Sequence, residues 1–208
     1  LPDESLLKSC YDLEYRQCLL GKTNWASKIR DLLFRYGFHW VWYAQNVDDD
    51  CDFVRLFSER LQDCELQDWT SIIQNTPKLR TYSLFKKYKN REFYLTLDIP
   101  CRMKVNLARF RTGSHNLQIE KGRHENIAPE DRLCVFCGKF NIRHIEDEYH
   151  VLFECSIYND IRDFYIKKHV VHTNQFNFIA LLSSESTECL TDVANFISSA
   201  FKIRMSLM

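Results

Sequence analysis

The chain contains 208 residues, of which 45% are hydrophobic and 14% aromatic, and this much apolar surface argues against intrinsic disorder. Five glycines and four prolines are too few for a turn-rich all-β fold, and the sequence has no apolar run long enough to cross a bilayer. The net charge is zero, but residues 78–111 carry 10 basic and 2 acidic side chains, a net charge of +8, whereas residues 1–77 carry −5 and residues 112–208 carry −3.

Helical periodicity dominates the first third of the chain. Residues 5–20 and 24–36 are predicted to be helices, the second with Asn24 as its N-cap. A further helix follows the aspartates at 48–50, whose charge suits a helix N-terminus. Its apolar stripe, at spacings of four, four and three, consists of Phe53, Phe57, Leu61 and Cys64. We therefore predict an N-terminal helical region over 1–76.

The positive charge lies in the next region, a basic helical region and connection over 77–128. A helix is predicted after Pro77, a short strand over 93–98, and another helix beginning at Pro100. The cations support two interpretations equally well: a solvated helix face, or a surface that contacts the phosphates of a nucleic acid. In the second interpretation the phosphate contacts are Arg80, Lys86, Lys87, Arg102, Lys104, Arg109 and Arg111.

Residues 134–155 have the pattern C-x2-C-x12-H-x4-C, which is typical of a zinc site. The predicted ligands are Cys134, Cys137, His150 and Cys155. The first pair suits a tight turn in which Gly138 adopts a left-handed backbone, and the second pair lies on a helix predicted to run from 150 to 170. Because all four ligands belong to the protein, we expect a closed, structural Zn²⁺ site.

The residues around this site allow several alternatives. His144 is the second choice for the histidine ligand, and a redox-active CxxC would need a βαβ context that the sequence lacks. The acidic residues at 146–148 fit the start of a helix better than a catalytic trio. His169 and His172 are expected to be surface histidines. The other six cysteines are predicted to be buried free thiols, which implies an intracellular protein, in the nucleus or the cytoplasm.

The predicted fold is mostly α, a helical domain with a small zinc-stabilised hairpin–helix unit. The predicted parts are the N-terminal region over 1–76, the basic region over 77–128, a CCHC zinc unit over 129–168 and C-terminal helices over 169–208. Within the last part, helices are expected near 174–182 and 188–204.

Three stretches together resemble a known family: ARFRTGSHNLQIEKGR, RLCVFC and IEDEYHVLFECSIYNDIR. They resemble the C-terminal segment of non-LTR (LINE-type) retrotransposon reverse transcriptases of invertebrates, in which a helical region and a CCHC zinc motif follow the polymerase. The stretch KLRTYSLFK at 78–86 is also similar to the segment that precedes this motif. The resemblance covers roughly residues 75–165.

The resemblance implies binding of RNA or target DNA, and an RNA-directed DNA polymerase as the parent protein. The chain itself contains no YxDD-type carboxylate pair and no endonuclease constellation, so we expect it not to be an enzyme. It begins without Met, as expected for a fragment or a processed piece. The alternatives are a protein-interaction scaffold, whose acidic flanks would dock on a basic partner or an adjacent polymerase, and an enzyme completed by upstream residues. No membrane partner is expected, and the oligomeric state is left open.

Overall fold

The computed structural model describes residues 5–47 and 50–207, which form a mostly α-helical protein as predicted. Within these ranges there is no β-sheet, and the only strand-like pairing is an isolated antiparallel bridge between Leu133 and Ile145. Contacts divide the chain into two compact units, residues 1–68 and 69–208. The predicted subdivision of 77–208 into three regions stays a prediction.

The first unit is built from three helices and the start of a fourth. They are α1 (Leu6–Leu19), α2 (Trp25–Arg35), α3 (His39–Ala44) and α4 (Asp50–Asn75), and α4 continues into the second unit. The N-cap prediction at Asn24 is confirmed, because Asn24 and Ser27 form a reciprocal capping box. Asp50 lies in the first turn of α4, whereas Asp48 and Asp49 lie outside the described residues.

The core of the first unit is small and aromatic. Trp42 is buried at its centre, and Phe53 and Phe57 of α4 pack against it as their spacing predicts. Leu61, on the same predicted stripe, is 36% exposed. The remainder of the buried cluster consists of Cys18, Ala26 and Leu33.

The second unit consists of short helices arranged around one long one. They are α5 (Arg80–Ser83), α6 (Cys101–Arg111), α7 (Gln118–His124), α8 (Val135–Gly138), α9 (Asn159–Tyr165), α10 (Gln175–Ser183) and α11 (Thr187–Leu207). Helix α11 packs against α6, α9 and α10, and it buries Val193, Phe196 and Ile197 completely. The two C-terminal helices were predicted to within a few residues.

Two predicted elements of the basic region over 77–128 are wrong. Residues 93–98 contain a 3₁₀ turn over Phe93–Thr96 in place of a strand, because the described residues include no neighbouring strand to pair with; Tyr94 and Leu97 are nevertheless buried. The helix after Pro77 ends at Ser83, so the basic segment that follows is mostly irregular, and Tyr88 is 74% exposed.

The cysteines outside the CxxC cluster differ in burial. Cys18 and Cys189 are buried as predicted, and Cys64 is half-buried. Cys10, Cys51 and Cys101 are exposed, which corrects the expectation that all six lie in the core.

Candidate metal centre and basic surface

The CxxC turn is held by a short backbone ladder. The Cys134 amide donates to the His144 carbonyl at 2.8 Å, and the Glu146 amide donates to the Arg132 carbonyl at 2.9 Å. The turn itself closes through Gly138, whose amide donates to the Cys134 carbonyl at 3.0 Å. Gly138 lies in α8 and does not have the predicted left-handed backbone; the left-handed residue of this loop is Asn141, with φ 59°.

The second pair of predicted ligands, His150 and Cys155, lies at a break in the predicted helix. Residues His150–Glu154 form a π-helical turn in which the Cys155 amide donates to the His150 carbonyl at 2.8 Å, and Cys155 then has an extended backbone. Residues five apart on a regular α-helix point about 140° away from each other, so they would not share a face. The wider i→i+5 turn removes this difficulty. The predicted single helix over 150–170 is therefore wrong at Cys155.

These two segments bring the four predicted donor atoms together. The Cys134 and Cys155 sulfurs are 3.9 Å apart, the Cys137 and Cys155 sulfurs 3.8 Å, and Cys137 Sγ lies 3.4 Å from His150 Nε2. All four atoms lie within 4.8 Å of one another. A tetrahedral ion with bonds of about 2.3 Å to sulfur and about 2.0 Å to nitrogen separates its ligand atoms by about 3.5–3.8 Å. The observed spacing therefore suits a metal ion bound by all four.

The donor group is enclosed by protein. Cys134, Cys137, His150 and Cys155 are each at most 5% exposed. The Cys134 thiol has its pKa lowered to about 3, because the Cys155 thiol hydrogen-bonds to its ionised form. For the same reason the pKa of Cys155 is raised, and burial raises the pKa of Cys137. A metal cation bound here would displace the thiol protons and bind the cysteines as thiolates.

His150, and not His144, belongs to this buried group. His150 Nδ1 lies 3.1 Å from Glu154 Oε2, an arrangement that orients the ring and leaves Nε2 for a metal. The ring of His144 stacks on that of His150 at 5.1 Å, but its side chain is 46% exposed and lies 3.5 Å from the same Glu154 oxygen. His144 is therefore a neighbour of the cluster.

The acidic residues at 146–148 have three separate structural roles, of which only one was predicted. Asp147 caps the turn, since its carboxylate accepts from the His150 amide at 2.8 Å. Glu146, fully buried, is paired with Arg204 of α11. Glu148, also buried, accepts from Arg80 at 2.7 and 2.8 Å and contacts His115 at 2.7 Å.

The pKa values of the two buried glutamates shift in opposite directions. Burial raises the pKa of Glu146, although Arg204 opposes the shift. Burial also disfavours the charged form of Glu148, but His115 and Arg80 outweigh it, and the pKa of Glu148 is lowered. The sequence analysis did not predict the ion-pair partners of the acidic residues at 146–148. The available signal was their number, because one helix cap requires only one carboxylate.

Three of the seven predicted phosphate contacts are used inside the fold. Arg80 is paired with Glu120 and Glu148. Lys86 and Arg111 both contact Glu92, at 2.6 and 2.8 Å. Arg111 is only 4% exposed, and its guanidinium lies 4.6 Å from the ring centre of Phe85, so it is not available to a phosphate in this structure.

The other four predicted contacts lie nearer the surface. Lys87, Arg102 and Arg109 are exposed, and Lys104 is half-buried with its Nζ donating to the Leu95 carbonyl at 3.1 Å. Arg102 and Arg109 line a cavity between α6 and α11 together with Lys202, a residue that sequence reasoning did not select. In the described part of the chain, no ion pair joins these three cations to a carboxylate.

Comparison with protein-family models, with curated proteins and with solved structures finds no match for this chain. Among residues 5–47 and 50–207, no helix combines the length and the apolar character needed to cross a membrane. Functional evidence therefore comes from the geometry and charge of the chain's own residues.

Proposed function

We propose that this chain is a non-catalytic nucleic-acid-binding module, held together by one structural Zn²⁺ ion, from the C-terminal part of a retrotransposon reverse transcriptase-like protein. Its proposed partners are RNA or DNA and an adjacent polymerase domain, inside the cell. The observation that carries the proposal is the convergence of Arg102, Arg109 and Lys202, without carboxylate partners, on one cavity.

The choice of zinc follows from the donor set. Three thiolates and one imidazole at tetrahedral spacing suit Zn²⁺, which has no geometric preference of its own and favours sulfur and nitrogen ligands. With four protein donors there is no position for a bound water, so the ion would stabilise the fold and would not activate a nucleophile. Cys134, Cys137, His150 and Cys155 would hold it.

The choice of nucleic acid follows from how the basic residues are distributed. Arg80, Lys86 and Arg111 are neutralised by buried or half-buried glutamates. Arg102 and Arg109 are seven residues apart on one flank of α6 and have no such partner. Like charges that share a surface repel one another unless an anion lies between them, and a phosphate backbone supplies such anions in series.

The proposed CCHC zinc unit over 129–168, called the metal unit below, supports this surface through α11. Arg204 pairs with Glu146, next to the cysteines, and Lys202 lies two residues earlier on the same helix. The proposed ion thereby helps to fix the helix that contributes one of the three cations. A structural metal and a nucleic-acid surface are thus parts of one arrangement.

The test is charge reversal at the two arginines of α6. We expect wild-type protein to bind labelled RNA and DNA 20-mers with an affinity that falls steeply as salt rises, and the double variant Arg102→Glu/Arg109→Glu to lose at least about tenfold in affinity. Fluorescence anisotropy at several salt concentrations measures both. The matched control is Lys22→Glu/Lys28→Glu, which makes the same charge change at exposed positions of the first unit. No binding at low salt, or equal binding by both double variants, would contradict the proposal.

A zinc-stabilised protein-interaction module is the second candidate. It is favoured by apolar side chains exposed on the metal unit, where Phe140 is 67% and Ile142 is 47% exposed. Partner binding that survives Arg102→Glu/Arg109→Glu but is lost in Phe140→Ser, with no binding of RNA or DNA, would favour this candidate.

A further inference from the structure

The cavity between α6 and α11, here called the α6–α11 cavity, is lined by more than positively charged side chains. Its volume is about 240 Å³, and it lies between α6, α11 and the connection at 114–116. Its lining includes the cations Arg102, Arg109 and Lys202, the amide of Asn106 and the apolar side chains of Phe201 and Met205. A surface that only followed a phosphate backbone would not need the amide or the apolar wall.

The positive charge available to a ligand comes from the three exposed cations. Arg204 also borders the cavity, but its guanidinium is committed to Glu146 and to the Asn116 carbonyl. His115 is likewise held by Glu148. Arg102, Arg109 and Lys202 have no such partner among the described residues, so they can contact a phosphate directly.

The same lining also has the properties of a base-binding wall. Met205 is 77% exposed and Val105 is 40% exposed, although both lie beside charged residues. Asn106 donates its Nδ2 to Ser198 Oγ at 3.1 Å, which fixes the side chain and leaves its Oδ1 oxygen as an acceptor. An apolar face next to an oriented amide can take the face and the edge of a nucleobase.

We propose that the α6–α11 cavity is a nucleotide subsite that takes one unstacked nucleotide of a single-stranded RNA or DNA. The phosphate lies among Arg102, Arg109 and Lys202, and the base lies against Phe201 and Met205 near Asn106. The volume is sufficient for one nucleobase. Because bases in a duplex are paired and stacked, the site selects single strands. This inference rests on the proposed nucleic-acid-binding function and names its ligand class.

The first test compares single-stranded and duplex ligands of the same sequence. We expect wild-type protein to bind a 20-nucleotide single strand at least about tenfold more tightly than a blunt 20-base-pair duplex. The variants Met205→Ala and Asn106→Ala should weaken single-strand binding about fivefold each and leave duplex binding unchanged. The control Phe176→Ala removes an apolar side chain that is also 77% exposed but lies on α10, and it should have no effect.

The second test locates the contact. RNA that contains 4-thiouridine should crosslink on irradiation to peptides that include residues 198–205, and the Met205→Ala variant should reduce the yield. Circular dichroism confirms that each variant is folded. Crosslinks confined to other segments, or equal affinity for single strand and duplex with no effect of Met205→Ala, would overturn the subsite even if Arg102→Glu/Arg109→Glu still abolished binding. Absence of binding to any nucleic acid would instead remove the proposed function as well.

Discussion

The buried arginine of the basic region shows how individual cations are used. Arg111 is 4% exposed, donates to Glu92 at 2.8 Å, and lies over the rings of Phe85 and Tyr94. Glu92 also contacts Lys86 at 2.6 Å. One half-buried carboxylate is therefore paired with two of the ten basic residues of 78–111, and without it the buried guanidinium would have no counter-charge.

Replacing this carboxylate should destabilise the second unit strongly. We expect Glu92→Gln to lower the free energy of unfolding by about 3 kcal/mol, because Arg111 stays buried without a charged partner. Urea denaturation followed by circular dichroism measures the change. The exposed Glu130→Gln substitution is the control and should change stability by less than about 0.5 kcal/mol.

The stability difference between wild type and Glu92→Gln should also depend on pH. The pKa of Glu92 is lowered from 4.5, because Lys86, Tyr82 and Arg111 together outweigh the effect of burial. Its charged form is therefore stabilised in the fold, and its contribution is present above the unfolded pKa and is lost as pH falls through the folded one. The difference in unfolding free energy between wild type and Glu92→Gln should be constant near neutral pH and should shrink below about pH 4.5. A difference that persisted to pH 3 would show that charge at Glu92 is not responsible.

Between elements, the most consequential link is the one from α11 to the metal unit. Arg204 is 3% exposed and joins Glu146 to the Asn116 carbonyl. Cys134 Sγ lies 3.9 Å from the same Glu146 carboxylate. Lys202 and Arg204 of α11 therefore have different roles. Lys202 is exposed to solvent, whereas Arg204 contacts the metal unit.

Substitution of these neighbours should separate stability from binding. We expect Arg204→Met to lower the free energy of unfolding by about 3–5 kcal/mol and to speed amide exchange at Cys134 and Glu146, because Glu146 is left buried and unpaired. Lys202→Met on the exposed side should leave stability unchanged and weaken nucleic-acid binding. If both variants changed the same property, the assigned division of roles would be wrong.

The metal should determine whether the hairpin and the turn at 150–155 remain folded. We expect one zinc per chain by elemental analysis, and loss of protected amides over about residues 130–165 after chelation or in Cys134→Ser and Cys155→Ser. Cys101→Ser, at an exposed free cysteine outside the cluster, should retain the metal. Full protection of 130–165 in either ligand variant would show that the metal is dispensable.

Local patterns were sufficient for some features and not for others. The N-cap at Asn24 and the helices α10 and α11 could be predicted because their signals lie within a few residues. The spacing of cysteine and histidine also identified the four donors that the structure brings together. The break at Cys155 was missed because Phe153, Ile157 and Ile161 continue a helical apolar pattern across it, and all three are in or against the core.

Partners distant in sequence could not be predicted from spacing. Arg204 lies 58 positions from Glu146, and Arg80 lies 68 positions from Glu148. Each of these residues looks like an ordinary surface charge in its local context. Only the fold shows that these charges are paired, and that Lys202 lines the basic cavity with Arg102 and Arg109.

For the molecule as a whole, the two units have separate cores. The core of the first is built from residues between 11 and 57, and that of the second from residues between 85 and 203. The cysteine–histidine cluster and the α6–α11 cavity both lie in the second unit. The first unit supplies neither, and the segment that contains it, residues 1–77, has a net charge of −5.

The second unit should therefore function alone. We expect a fragment of residues 69–208 to unfold cooperatively, to bind one zinc and to bind single-stranded RNA at least as tightly as the whole chain, because removal of a net negative segment does not weaken attraction to a polyanion. Calorimetry, elemental analysis and anisotropy test the three statements. A fragment that is folded and zinc-loaded but does not bind would show that the first unit takes part in binding.

The pairing of Glu146 with Arg204 also has a consequence for biosynthesis. A chain that emerges from the ribosome presents Arg80 before Glu148, but it presents Glu146 and all four metal ligands before Arg204. The proposed ion could thus bind its four ligands on the nascent chain before Arg204, the partner of the buried Glu146, has been synthesised. Translation of α11 then supplies the guanidinium of Arg204, so the ion pair with Glu146 forms after the metal ligands have been synthesised.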